Sequence, residues 1–443
     1  VIARLSWHAL EGRRNRGFRA SLREIEGLAH SPRTAFRHWQ ARAVAEHLAW
    51  ASTVPWFRER GLTAATPLEE APVLRRKDLQ SSVEDLRDPA RPPAALRRES
   101  SGGSTGEPVS LYQDAAHATW TFATEAYVLG TWGLRPWSRR AYLWGDDRRP
   151  DRLPFRDRVR ERLLATRRLD AFGMDDDRME AFARALERFR PALLQGYAGA
   201  LDLFAAFLER RGRHAVRPRV VRSSAEALSP DARARVERAF GCPVRDFYGS
   251  RESSGLAAEC AAGGFHVLAA GRVVEVVDDE GRACPPGVPG RVLVTDLRNR
   301  AFALVRYENG DVASFADDRS PCPCGCPWPR LERVHGRTSD FLTTPEGRRI
   351  HGEWFTHLLY GSSGVERFQV RQDARDRVEL RTVGPAGERD LAPVLARMRE
   401  ALGPGVSVVW RRVPEIADTP SGKRRFTVSS VPYGPGPPAA EPS

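Results

Sequence analysis

Between Arg140 and Phe240 the sequence alternates short apolar runs with amphipathic ones, and this alternation restricts the fold more than any other feature. Arg140–Trp144, closed by Gly145, is too short for a helix and suits a buried strand. Asp175–Phe189 carries apolar residues at helical spacing. Pro191–Tyr197 reads as strand then loop, Ala200–Glu209 as helix, Val216–Ser223 as strand, and Ala225–Phe240 contains a further helix. Strands separated by helices cannot pair through tight turns. They cross over and form a parallel sheet with helices on its faces. Ligands in such sheets bind beyond the carboxyl ends of the strands.

The flanks differ in texture. Residues 1 to about 60 read as helical, with apolar spacing in Ser21–Leu28 and Ala41–Trp50 and an interruption at Pro55. After about residue 264, Val267–Val277 and Arg291–Asp296 read as strands of an antiparallel or barrel-like section punctuated by Pro-Gly turns. Residues 341–432 carry strand and helix signals of their own, the clearest being a helix at Asp390–Leu402 with Asp390 as its N-cap. The expected class is α/β: a large N-terminal domain with mixed and parallel sheets, helices and a β-rich subdomain, then a small α+β mobile C-terminal domain. A chain of 443 residues has room for both. Residues 433–443, rich in Pro, Gly and Ala, read as a disordered tail.

Charge narrows the function classes. Net charge is +13, which raises the question of nucleic acid. The positive residues are spread along the whole chain, and all but two of the 70 are Arg. That is a coding bias toward Arg rather than a patch built for phosphate backbones, so nucleic acid is set aside as a partner. No apolar run reaches membrane length and no signal-peptide apolar core stands at the start, so no membrane partner is expected and the cytoplasm is the expected compartment. The two lysines become conspicuous. Lys77 lies in RRKDL, a solvated helix start. Lys423 lies in TPSGKRRF, where a compact ammonium on a flexible stem suits a point-charge role on phosphate.

Five stretches carry the chemistry. Ser100–Pro108, SSGGSTGEP, packs hydroxyls and glycines between two ordinary segments. Gly tolerates the backbone conformations that turn N–H groups toward an anion, and Ser and Thr add donors. It is not a Walker loop, which needs Lys before its last Ser/Thr. The others are SSAEAL (Ser223–Leu228), DFYGSRE (Asp246–Glu252), LVRYENGD (Leu304–Asp311), and HGRTSD (His335–Asp340) with PSGK (Pro420–Lys423) downstream. Singly each has an ordinary reading; Asn309-Gly310, for example, suits a type I′ hairpin.

In this order they resemble the adenylate-forming superfamily of acyl-CoA synthetases, and within it the phenylacetate–coenzyme A ligases. VPWFRER, APVLRRKDL and ERFQV (Glu366–Val370) add to the likeness, which spans roughly residues 40–430. The resemblance implies an AMP-forming acid–thiol ligase. A carboxylate attacks the α-phosphate of ATP to give an acyl-adenylate and pyrophosphate, and a nucleophile, often the thiol of coenzyme A, displaces AMP. It implies an adenylation core over 1–336, a hinge at 337–340 and a catalytic C-terminal domain. Ser100, Ser101, Gly102, Gly103, Ser104, Thr105 and Gly106 would hold the β- and γ-phosphates, with Glu107 where many relatives have Lys. Ala225, Glu226, Asp246, Phe247, Tyr248 and Gly249 would surround the adenine. Ser250 would lie near the α-phosphate and Glu252 would hold Mg²⁺. Asp311 would take the ribose hydroxyls, assisted by Arg337. Asp340 would be the hinge, and Lys423 would bridge the substrate carboxylate and α-phosphate.

Cysteine placement suggests a second centre. Cys260 and His266 precede a PCPCGCPWPR segment holding Cys322, Cys324 and Cys326. In a chain of this class such clusters point to zinc rather than disulfides. The expected ligands are Cys260, His266, Cys322 and Cys324, with Cys326 as an alternative; relatives carry C-x-C-G-R here, so Cys326 stands where they have Arg. Cys242 and Cys284 read as packing residues. For the acid pocket the candidates are Trp120, Phe122, Tyr127, Trp144, Tyr197 and Ser223, an aromatic set that favours an aryl or arylacetic acid. An amine or carrier-protein thiol is the alternative acceptor to coenzyme A, and homodimerisation is left open. A fold that has lost turnover is the rival from another class, opposed by the presence of Glu252, Asp311 and Lys423.

Overall fold

The computed structural model describes residues 4–7, 17–100, 109–144, 155–171, 174–213, 215–359, 362–417 and 425–431. Residues 101–108 of the Gly-rich stretch, Lys423 and the tail 433–443 lie outside them. Helices α1 (Phe18–Ala29) and α2 (Arg33–Ala51) come first, then the short α3 (Pro55–Arg58) and α4 (Arg76–Ser81). Lys77 is exposed on the first turn of α4. Strands β1 (Arg97–Ser100) and β2 (Ser110–Gln113) pair antiparallel across the Gly-rich stretch, Ser100 opposite Ser110. They lead to α5 (Ala115–Thr131), whose N-cap Asp114 accepts from His117 N.

The central sheet has eleven strands. Its parallel half runs β4-β3-β5-β6-β7: β3 (Arg140–Trp144), β4 (Thr166–Asp170), β5 (Leu193–Tyr197), β6 (Val220–Ser224) and β7 (Val244–Ser250). The crossovers carry α6 (Phe155–Leu163), α7 (Asp176–Phe189), α8 (Ala198–Arg210) and α9 (Pro230–Phe240). Alternation along each strand divides two cores. Leu194 and Val221 meet Phe182, Phe204 and Phe240 of α7, α8 and α9. Their neighbours Leu193 and Val220 face α1 and α5 with Leu129 and Trp132. Each fully buried apolar side chain stabilises by about 1.5–3 kcal/mol.

From β7 the chain turns antiparallel. β8 (Ser254–Glu259), β9 (Phe265–Val267), β10 (Arg272–Val277), β11 (Gly290–Asp296), β12 (Tyr307–Phe315) and β13 (Arg330–Arg337) extend the same hydrogen-bonded sheet in the order β7-β8-β9-β13-β12-β11-β10. The β-rich section is therefore continuous with the parallel half. Two local expectations are corrected. Val267–Val277 is two strands, broken by a turn closed by Gly271 N donating to Leu268 O. Asn309-Gly310 forms no hairpin: it lies inside β12, where Gly310 has φ +81°.

Residues 341–431 gather around their own core of Leu342, Phe355, Val370, Leu380, Leu395 and Met398. Here β14 (Phe341–Thr343) pairs with β15 (Arg349–His351), and β16 (Arg367–Ala374), β17 (Arg377–Val383), β18 (Ser407–Arg412) and β19 (Thr427–Ser429) form a four-stranded sheet beside α10 (Gly352–Leu359) and α11 (Glu388–Leu402). Gly387, not Asp390, is the N-cap of α11. Asp390 sits at the third helical position and its carboxylate accepts from Gly387 N at 2.8 Å. Asp is equally favourable there, because it reaches back to an orphan N–H at the positive helix end.

Candidate active site and metal centre

A cleft of about 400 Å³ opens where the parallel strands end: Trp144, Tyr197, Ser224 and Ser250 are the last residues of β3, β5, β6 and β7, and all four line it. Ala225, immediately after β6, also lines it with φ +68°, a left-handed conformation rare for a residue with a side chain. Gly249 has no alternative: a Cβ there would lie 2.5 Å from Ser254 O, in the tight turn between β7 and β8.

One end of the cleft is charged. Glu252 is buried, and Arg76 Nη1 lies 3.6 Å from its Oε1. Ser250 Oγ accepts from Ser253 N at 3.1 Å and lies 2.9 Å from Ser253 Oγ. Glu252 offers carboxylate oxygen, the donor a hard divalent cation takes. Beside it Asp311 is the hub of a buried network. Its Oδ2 accepts from Tyr248 Oη at 2.6 Å and Asn309 Nδ2 at 2.8 Å, and its Oδ1 pairs with Arg337 Nε at 2.9 Å. Burial pushes the Asp311 carboxyl up, and Arg337 and the Tyr248 hydroxyl pull against it. Tyr248 is held protonated by burial and by the Asp311 charge. Glu226 Oε2 accepts from Gly199 N at 2.9 Å and so satisfies an orphan donor in the first turn of α8. Phe247 lines the cleft, whereas Asp246 stands off its lining, with Oδ1 accepting from Phe247 N.

Of the acid-pocket candidates, Trp120, Trp144 and Tyr197 line the cleft, the last two with ring centroids 4.3 Å apart. Three others do not. Phe122 packs against Trp7 and Phe18 on the far side of α5. Tyr127, six helical residues beyond Thr121, packs on Trp328 near the cysteine cluster. Ser223 is fully buried within β6, and strand alternation brings its neighbours Arg222 and Ser224 to the cleft instead. Sequence reading also passed over Arg76, Thr121, Glu125, Gln195 and Arg272, all on the lining. The one available signal was Arg222 itself: a charged residue inside a predicted buried strand asks for a reason.

Asp340 joins the two halves of the chain. Its Oδ2 accepts from Arg337 N at 2.9 Å, and its Oδ1 accepts from Arg425 Nη2 at 3.2 Å. Arg425 is two positions beyond Lys423.

Away from the cleft, the donor atoms of Cys260, His266, Cys322 and Cys324 lie within 4.8 Å of one another. The Cys260 and Cys322 sulfurs are 3.7 Å apart, and Cys324 Sγ is 3.2 Å from His266 Nε2. Tetrahedral zinc with Zn–S bonds of about 2.3 Å requires sulfurs about 3.8 Å apart, so the donor set fits such an ion. His266 Nδ1 lies 3.1 Å from Trp328 O; as its donor it leaves Nε2 bare toward the cluster. Gly264 makes the approach possible, since a Cβ there would meet Cys322 Sγ at 2.6 Å. Cys326 is half-buried and hydrogen-bonds Tyr127, outside the group of four.

The fold is the one shared by adenylate-forming ligases, and part of the chain matches a family model of AMP-binding enzymes. Residues 170–296, which span β4 to β11 and carry Glu226, Asp246–Ser250 and Glu252, match the family of AMP-binding enzymes. Protein CapK of Staphylococcus aureus is 22% identical over 371 residues, 82% of this chain and 80% of that protein. The phenylacetate-coenzyme A ligase of Thermus thermophilus is 32% identical over 123 residues, 27% of each chain. Among solved structures, 2-hydroxyisobutyryl-CoA ligase in its postadenylation state, in complex with R3-HIB-AMP, superposes with a TM-score of 0.68 at 19% identity, covering 91% of this chain and 92% of that one. The amide bond synthetase McbA from Marinactinospora thermotolerans does so with a TM-score of 0.52 at 18% identity, over 76% and 69%. No described helix is long and apolar enough to cross a membrane.

Proposed function

We propose that the protein activates a carboxylic acid with ATP, forming an acyl-adenylate and pyrophosphate, and then transfers the acyl group to the thiol of coenzyme A. The observation that carries this reading is the meeting of Glu252, Ser250 and the Asp311–Tyr248–Arg337 network around one cleft at the ends of the parallel strands. Phosphoryl chemistry of this kind asks the protein for positioning and charge stabilisation. Arg76 and Arg337 supply fixed positive charge beside the cleft. Asp311 retains one free acceptor direction for a ribose hydroxyl, since three of about four are taken by Tyr248, Asn309 and Arg337. Glu252 would hold Mg²⁺, which supplies charge neutralisation on the phosphates. The Gly-rich residues 101–106 and Lys423 complete the set as the resemblance implies. Asp340 is the pivot on which residues 341–431 turn between the half-reactions, releasing its bond to Arg425.

Trp144 and Tyr197 favour a flat acid, contributing about 0.5–1.5 kcal/mol of stacking. Transfer to an amine or a carrier-protein thiol is the second reading of the acceptor, favoured by the likeness to an amide bond synthetase. Zinc at the Cys260–His266–Cys322–Cys324 group is structural in this proposal, with four protein ligands and no open position. ATP–pyrophosphate exchange against aryl, arylacetic and short aliphatic acids tests the reading. One acid class drives exchange, and Lys423→Ala abolishes it. Protein that binds no ATP, or exchanges with no acid, overturns the proposal. Adding coenzyme A, amines or carrier proteins then identifies the acceptor.

A further inference from the structure

The inner end of the cleft holds polar groups that adenylation does not use. Arg222 projects from β6, a strand buried along its whole length. Its Nη1 donates to Glu125 Oε1 at 2.6 Å, its guanidinium stacks 3.5 Å from the Phe247 ring centroid, and its Nε is buried with no hydrogen-bond partner among the described residues. One helical turn before Glu125, on the same face of α5, the Thr121 hydroxyl is also buried and unpartnered. Gln195 stands next to Arg222 in register on β5 and lines the same space. Glu125 is shared, because Arg140 Nη1 approaches its Oε1 to 3.8 Å; two guanidinium groups face one carboxylate.

Buried polar groups in folded proteins are almost always bonded. An idle guanidinium N–H and an idle hydroxyl on the wall of a ligand cleft mark where the ligand supplies the partner. The set contains donors (Arg222 Nε, the Thr121 hydroxyl) and acceptors (the Glu125 carboxylate, the Gln195 amide oxygen). A hydroxyl group matches both. Trp144, Tyr197 and Phe247 line the same cleft and suit a ring.

We infer that the acid bound here is an aromatic carboxylic acid bearing a hydroxyl on its ring, which accepts from Arg222 and Thr121 and donates to Glu125 or Gln195. This rests on the adenylation reading and narrows it. An unsubstituted ring leaves the Arg222 and Thr121 donors dry and unpaired, the condition under which a site rejects an analogue most strongly.

The test compares matched pairs in ATP–pyrophosphate exchange: benzoate against its three hydroxybenzoates, and phenylacetate against its three hydroxyphenylacetates. The best hydroxylated isomer exceeds its parent in kcat/KM by at least about 10-fold. Arg222→Met and the isosteric Thr121→Val each shrink that ratio toward one. Thr121→Val keeps the test alive should Arg222→Met fail to fold with Glu125 deprived of its nearest partner. Parents that exchange as fast as every hydroxylated isomer, or a ratio that neither variant moves, overturn the inference and leave adenylation standing. No exchange with any acid overturns adenylation and this inference with it.

Discussion

Asp246→Asn separates a stability effect from a functional one. Asp246 lies within β7, where its N–H donates to Glu259 Oε2 and its Oδ1 accepts from Phe247 N, both at 2.9 Å. Burial pushes its carboxyl up to about 6; Arg233 opposes this and the Glu259 charge adds to it. Arg233, which is also paired with Glu259 at 2.9 Å, does not outweigh the burial. In the unfolded chain the same group titrates at about 3.9. A carboxyl raised in the folded state contributes stability that is complete below about pH 4 and lost as pH rises through about 6. The ionised group therefore costs about 3 kcal/mol above pH 7, and about half of that at pH 5. Asn keeps an acceptor for Phe247 N and carries no charge. Asp246→Asn is expected to be more stable than the parent by up to about 3 kcal/mol at pH 8, with the gain roughly halved at pH 5. Urea midpoints at the two pH values, compared at equal m, measure it. A variant destabilised equally at both would show that the carboxylate makes net favourable contacts and would refute the reasoning. ATP titration of the same variant reports the nucleotide role: unchanged binding is expected, because the carboxylate stands off the cleft lining and accepts from Phe247 N.

Two further outcomes follow from the geometry. Glu252→Gln retains the shape of a side chain facing Arg76 but loses the charge a divalent cation needs; pyrophosphate exchange should fall about 10²–10³-fold and require more Mg²⁺, and unchanged Mg²⁺ dependence would remove Glu252 from that role. Cys322→Ser should lower bound zinc from about one per chain to a small fraction and reduce the thermal midpoint, as should a strong chelator acting on the parent protein; parent protein purified without zinc and insensitive to chelator would refute the metal assignment.

The sequence by itself determined the parallel half of the sheet. Pro191–Tyr197 and Val216–Ser223 read as short strands between amphipathic helices, and period separates the two kinds of element. It also brought Ala225 and Ser250 to the strand ends, but it stopped β6 one residue early and so named Ser223 where Ser224 lines the cleft. The four residues of the proposed zinc group could be picked out by residue type, because few roles besides metal binding group thiols and an imidazole so densely. Other features only the tertiary structure decided. Tyr127 and Trp120 share one helix, yet seven positions of helical rotation and rise send one to the cysteine cluster and the other to the cleft. Phe122 turned to a helix far earlier in the chain. Asn309-Gly310 has the composition of a hairpin, but β12 runs on through it: the pair sits in a register shift against β11, with Leu293 opposite Glu308 and Arg291 opposite Val312, and β13 takes up the pairing at Asp311. Arg222 and Glu125 are 97 positions apart, so nothing local marks them as a pair. Periodicity reports which face of an element is buried; what that face meets is set by long-range packing, and the specificity of this cleft is written there.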